Sequence, residues 1–272
     1  MCQVCGQKFE LSDPKPCGLC LEFNELVRSH AIPNASFKII SKGRQAVVVT
    51  ADIGRHPAGS NESFKTYQLC SGCEKFLNKE YDSYALPRLR GQKGKRILYG
   101  EGVTLIGIDL TKLQLFFLSV FWRAANSEYL AYSQVFIPEP WNNEIRECIL
   151  NKQPVPLDLS TVKISLLKDM RKEKFLSDEV LAKIIMEPFH RLSDNNISFN
   201  FIFEGWFVEI FTPGLDLKER QSMGVIYSER IRLTCPFIHP YDIHEFSEII
   251  IPGIQKDIEK KKESNVVRKT RI

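Results

Sequence analysis

The chain has 272 residues, 43% hydrophobic and 26% charged, the proportions of a folded protein rather than a disordered one. A formal net charge of +4 and a pI near 8.5 permit nucleic-acid binding through a local patch without demanding it. The start, Met1-Cys2-Gln3-Val4-Cys5, lacks the basic and apolar regions of a signal peptide, and no apolar run approaches the ~20 residues of a membrane span; a reducing, cytoplasmic setting with no membrane partner is therefore expected.

Residues 1–86 carry six of the eight cysteines, as the pairs Cys2/Cys5, Cys17/Cys20 and Cys70/Cys73. A Cys-x-x-Cys turn points two sulfurs inward from one tight knuckle, and two such knuckles complete a tetrahedral zinc site. Two arrangements fit. The favoured one joins Cys17/Cys20 to Cys70/Cys73 and closes a long loop containing His30; its rival joins Cys2/Cys5 to Cys17/Cys20 in a compact ribbon. In the first, Cys2 and Cys5 remain as a possible second pair. Val47-Val48-Val49 reads as a strand in a hairpin. After Cys73, the run Glu74 to Tyr81 reads as a helix that stops before Pro87.

Residues 87–159 form a basic connector and a helical layer. Arg88, Arg90, Lys93, Lys95 and Arg96 make a glycine-interrupted basic stretch that could neutralise phosphates, and so are candidate nucleic-acid ligands. Leu113 to Ala125 is strongly apolar yet too short for a bilayer, which predicts a buried core helix; Asn142 to Asn151 reads as a second, amphipathic one. Residues 160–272 form a mixed α/β part. Strands are expected at Val162–Leu166, Ile197–Phe203 and Trp206–Phe211, the last two joined through Glu204-Gly205. Between them, Ser177 to Glu187 reads as a helix with Ser177 as N-cap. Phe199, Phe201, Phe203, Trp206, Phe207 and Phe211 are read as core rather than as a base-stacking face. Cys148 and Cys235 are read as inert core residues. His56 is taken as a loop residue; His239 and His244, near Asp242 and Glu245, are a minor second candidate site. The chain ends in a second basic stretch, from Lys256 through Lys260-Lys261-Lys262 to Arg268-Lys269-Thr270-Arg271.

Cys17-Gly18-Leu19-Cys20, Ser29-His30-Ala31-Ile32-Pro33 and Leu69-Cys70-Ser71-Gly72-Cys73-Glu74 together resemble the zinc-stapled branch of the HNH endonuclease superfamily. The likeness covers residues 17 to about 85. It implies an α+β fold whose N-terminal finger is a zinc-bound ββα-metal, or treble-clef, unit. It also implies metal-dependent cleavage of nucleic acid, DNA more than RNA, with antiviral defence in bacteria as the setting. His30 would be the general base, because an imidazole near neutral pKa can take a proton from water at cellular pH. Glu74 and Asn78, four apart on one helical face, would hold a catalytic Mg²⁺. The chain departs from the family at Ser29, where an acidic or histidine ligand is usual, and at Glu74, where histidine is usual. The family's asparagine before the second knuckle is also missing: Lys65-Thr66-Tyr67-Gln68 stands there, and Asn61 lies further back. Two alternatives stand beside this reading: a catalytically silent zinc finger that binds nucleic acid, and a scaffold whose apolar helix docks a protein partner.

Overall fold

A computed structural model describes residues 15–41, 47–49, 58–59, 64–174, 176–193 and 196–248. Cys2, Cys5, His56, Asn61 and the basic tail from Lys256 to Arg271 lie outside the described residues. The chain is mixed α/β with a four-cysteine cluster near its N-terminus.

The first elements are β1 (Leu26–His30), α1 (Asn34–Ser41), β2 (Val47–Val49), β3 (Ala58–Gly59) and β4 (Lys65–Cys70). β1 and β4 pair antiparallel, from Leu26 opposite Cys70 to His30 opposite Lys65. β4 runs straight into α2 (Ser71–Leu77), a π-helical turn (Asn78–Asp82) and α3 (Ser83–Leu89). A π turn inside a helix is rare and often sits at a functional site, and here both Tyr81 and Asp82 within it are buried. Pro87 lies inside α3, so the expectation that the helix ends before it is corrected. An interior proline costs a helix about 3 kcal/mol, and the burial of Ala85, Leu86 and Leu89 around it offsets that. The real stop is Gly91, at φ +73°, with Gln92 N–H on the Pro87 carbonyl (2.8 Å) and Gly91 N–H on that of Arg88 (3.0 Å), the double bond of a Schellman end.

The connector contains a hairpin, β5 (Lys95–Tyr99) and β6 (Gly102–Ile106). Glycines masked its period-2 pattern, and at least one of them is a packing requirement: a Cβ on Gly102 would stand 2.2 Å from the Cys235 carbonyl oxygen. Next come α4 (Leu110–Ala125), capped by Asp109 accepting from Lys112 N–H at 3.0 Å, and α5 (Trp141–Asn151). Then follow β7 (Thr161–Leu167), α6 (Asp178–Leu181), β8 (Ile184–Leu192), β9 (Ile197–Phe203), β10 (Trp206–Phe211) and β11 (Arg232–Ile238). Ser177 does cap α6, accepting from Val180 N–H at 3.3 Å, but the helix expected through Glu187 ends at Leu181. Ile184-Ile185-Met186 instead pairs in parallel with Val47–Val49; a short apolar run suits either state, and here the sheet partner decides.

Among the described residues, nine strands form one sheet in the order β3-β2-β8-β9-β10-β7-β11-β6-β5, drawing members from all three sequence segments. Glu204 and Gly205, at φ +56° and +78°, make the tight β9–β10 turn with the positive angles of a type I′ hairpin. α4 lies across this sheet. Phe121 meets Phe199 at 4.9 Å and Phe116 meets Phe203 at 6.2 Å between ring centroids, and each buried phenylalanine contributes about 2 kcal/mol. Phe199, Phe201, Phe203, Trp206 and Phe207 are buried as expected, and Phe211 is half-buried. The opposite side of α4 carries Trp122 and Arg123 to the cysteine-bearing unit, and a Cβ on Gly18 would sit 3.3 Å from the Trp122 ring. Among the described residues no helix is long and apolar enough to cross a membrane.

Candidate metal centre

The β1–β4 ladder sets Leu26 beside Cys70, and the turn at residues 17–20 folds over it. Gly18 N–H donates to the Gln68 carbonyl at 2.9 Å, and Leu21, at φ +64°, sends its N–H to the Cys17 carbonyl at 2.8 Å. The sulfurs of Cys17, Cys20, Cys70 and Cys73 thereby lie within 4.8 Å of one another. Cys20 and Cys70 Sγ are 4.0 Å apart, twice the length of a disulfide and close to the ~3.8 Å edge of a tetrahedron with ~2.3 Å zinc–sulfur bonds. Backbone donors already face the sulfurs: Cys70 N–H points at Cys17 Sγ (3.2 Å) and Cys73 N–H at Cys70 Sγ (3.5 Å). Burial would raise the Cys17 thiol, but N–H groups of Cys20, Cys70 and Leu19 outweigh it and bring the pKa down to about 7; burial pushes Cys73 strongly upward. A dication resolves these opposed tendencies, because thiolates bound to it stay deprotonated. The four cysteines can hold a zinc ion. Among the described residues Cys17/Cys20 come together with Cys70/Cys73; Cys2 and Cys5, on which the other pairing depends, lie outside them.

The same staple lays the end of β1 against α2. Ser29 and His30 are buried and Glu74 is half-buried. The Ser29 hydroxyl, 3.3 Å from the Val27 carbonyl, is also in hydrogen-bonding reach of Glu74, whose carboxylate is the stronger acceptor. Burial raises the Glu74 pKa, against the pull of Arg123 and Ser29. Burial, with the positive charges of Lys65, Arg123 and Lys38, lowers His30 to about 4. His30 Nε2 and Glu74 Oε2 are both enclosed without a hydrogen-bond partner. Asn78 is exposed, its Oδ1 accepting from the Ser83 hydroxyl at 3.2 Å.

Below them lies a pair that sequence reading missed. Arg123 donates to both Asp82 oxygens (3.0 and 3.4 Å), to the His30 carbonyl (3.0 Å) and to the Ser119 carbonyl (3.0 Å). Burial pushes the Asp82 carboxyl up and the guanidinium opposes it. A cation at the end of the apolar run Phe116 to Trp122 was the available signal, since such a charge needs a partner.

The basic stretch divides. Arg90 forms a two-pronged pair with Glu204 (2.5 and 2.8 Å), Arg88 stacks 3.7 Å over the Tyr84 ring, and Arg96 lies 5.5 Å from the Trp206 ring centroid. Lys93 and Lys95 are exposed. The minor candidate site does not converge. His239 Nε2 faces buried Asp169 at 3.1 Å while its Nδ1 accepts from Tyr241 N–H; His244 pairs with Glu248 and Glu245 with Arg191. Cys235 is buried and Cys148 half-buried, both away from the metal cluster.

No family model, curated protein or solved structure matches this chain. The centre is a four-cysteine cluster that presses a histidine-bearing strand onto a carboxylate-bearing helix.

Proposed function

We propose that the protein is an HNH-like, zinc-stapled endonuclease that hydrolyses phosphodiester bonds of nucleic acid, DNA more than RNA. The observation that carries this reading is the pair of enclosed, unpartnered atoms, His30 Nε2 and Glu74 Oε2, on elements drawn together by the four cysteines. A buried polar atom left without a partner costs ~1–3 kcal/mol, so one on β1 and one on α2, elements that pack together, point to a water, ion or substrate group beside them. His30 is suited to the base role in one respect: with its pKa near 4 it is neutral throughout the cellular pH range and can accept a proton at Nε2. Glu74 supplies the oxygen expected of a Mg²⁺ ligand, and Asn78 retains a lone pair beyond its bond to Ser83. Such an ion, when bound, would neutralise charge on the scissile phosphate and leaving oxygen. Ser29 positions Glu74 rather than acting on substrate. Lys93 and Lys95 are the exposed cations of the basic stretch left for phosphates.

A second reading rests on its own observation: His30 is only 6% exposed, and three of the five basic candidates, Arg88, Arg90 and Arg96, make internal contacts. That favours a silent finger whose zinc serves structure, with nucleic acid or a protein as partner. Plasmid nicking by zinc-loaded protein with and without Mg²⁺, beside His30→Ala and Glu74→Gln, separates the two. The nuclease reading expects Mg²⁺-dependent nicking that falls at least a hundredfold in both folded variants. Equal nicking by wild type and variants, or none by any of them, overturns it.

A further inference from the structure

A cavity of about 560 Å³ lies between the end of α3, β5, the end of β7, α6 and the Glu204-Gly205 turn, within the ~300–1,000 Å³ range of small-molecule sites. Its walls are largely apolar, formed by Leu89, Leu98, Leu166, Leu167 and Ala182. Two ion pairs on it are closed on themselves, Arg90 with Glu204 and Lys183 with Glu179. That leaves Arg96, Lys168 and Asp178. Among the described residues Arg96 makes one hydrogen bond, Nη1 to the Leu89 carbonyl at 3.2 Å, and rests its guanidinium against Trp206. Lys168 places its ammonium 4.2 Å from the centre of the Phe237 ring. Among the described residues neither is bonded to a carboxylate, and Asp178 acts on Arg96 only through space. Outside the closed pairs, two cations and one carboxylate therefore line a mostly apolar hollow. Gly91 helps set this up, because a Cβ there would stand 2.9 Å from Arg96 Cδ; its absence lets the arginine fold back over the helix end.

We propose that this cavity binds a small organic anion, a single carboxylate or phosphate headgroup on an apolar body, with Arg96 and Lys168 taking the headgroup. A guanidinium has five N–H donors in a planar fork that matches either oxyanion, and four of those on Arg96 are uncommitted. The body lies against Leu89, Leu98 and Leu166. Arg96 thus has a use other than the phosphate contact its place in the basic stretch suggests. The site shares no residue with His30, Glu74 or the cysteines, so it stands or falls independently of the nuclease reading.

The test is a fluorescence titration of the full, zinc-loaded chain with 8-anilinonaphthalene-1-sulfonate and with uncharged N-phenyl-1-naphthylamine, followed by displacement with decanoate and with phenyl phosphate. Saturable binding of one sulfonate dye per chain is expected, weakened tenfold or more by Arg96→Met and less by Lys168→Met. The uncharged dye should change by less than twofold in both variants, and Lys79→Met should alter neither dye. Which competitor displaces the dye distinguishes a carboxylate from a phosphate ligand. Should Arg96→Met lose its native circular dichroism, Lys168→Met carries the comparison. No saturable binding, or sulfonate-dye affinity indifferent to the cavity substitutions, overturns the proposal.

Discussion

Breaking the Arg123–Asp82 pair should unfold the protein more readily than removing the pair entirely. The side chains are 1% and 6% exposed, so either charge left alone has no water to turn to. Loss of one member of a buried pair costs ~3–5 kcal/mol, whereas replacing both by apolar groups is often close to neutral. Arg123 also satisfies the His30 carbonyl, and orphaning that buried acceptor adds ~1–3 kcal/mol that the double replacement does not recover. Asp82→Leu should lower stability by about 4 kcal/mol, roughly 8–16 °C in Tm for a chain of this size, and Arg123→Met, which also orphans the His30 carbonyl, by about 4–8 kcal/mol. The double variant should be no worse than the milder single one. Urea unfolding at fixed zinc, followed by tryptophan fluorescence, yields the double-mutant cycle, with a coupling energy above about 2 kcal/mol expected. If the two losses simply add, the pair is not an interacting unit and the picture of a charge held under the metal site is wrong.

Metal analysis should find one zinc per chain bound by the Cys17, Cys20, Cys70 and Cys73 sulfurs, with Cys17→Ser or Cys70→Ser losing it and Cys148→Ser or Cys235→Ser retaining it; retention by the first two would exclude the cluster as the ligand set. His30 gives a pH signature. Its folded pKa of about 4 lies below the unfolded value of 6.5, so the unfolded chain binds the extra proton, and stability falls as pH drops from 6.5 towards 4 by up to about 3 kcal/mol. His30→Gln should remove that share, read as a smaller gap between urea midpoints at pH 7 and pH 4.5 than in wild type; an unchanged gap contradicts a buried neutral imidazole. Gly91→Ala forces a side chain into the left-handed region and towards Arg96, and should cost about 1–2 kcal/mol in thermal or urea unfolding, with a neutral result refuting the helix-end assignment.

Local chemistry was readable wherever one residue type has one physical use. Cys-x-x-Cys spacing named three pairs of sulfurs and left two pairings open, Glu204-Gly205 named a hairpin turn, and thirteen consecutive mostly apolar residues named the buried part of α4. Elements failed where a distant partner decides. Ile184-Ile185-Met186 became strand because Val47–Val49 lies beside it; Lys95–Tyr99 has its partner β6 close by in sequence, and there the basic, glycine-bounded composition hid the hairpin. Pro87 stays in its helix because the neighbours it would release are buried. The candidate site divides along the same line. Ser29, His30 and Glu74 could be singled out by their place relative to the knuckles, but Asp82 and Arg123 are 41 residues apart, and nothing local marks either as the other's counter-ion. Arg88, Arg90 and Arg96 look like one patch along the chain, yet their partners Tyr84, Glu204 and Trp206 send them in separate directions.

The shared sheet has a practical consequence for anyone dissecting this protein. A fragment ending near residue 86 would keep all four sulfurs but lose the β8 edge on which Val47–Val49 is hung, together with the Trp122 lid over Gly18 and the guanidinium beneath His30. Such a fragment should chelate zinc yet leave its second half unmoored. Loss-of-function studies are better served by point substitutions than by scissors.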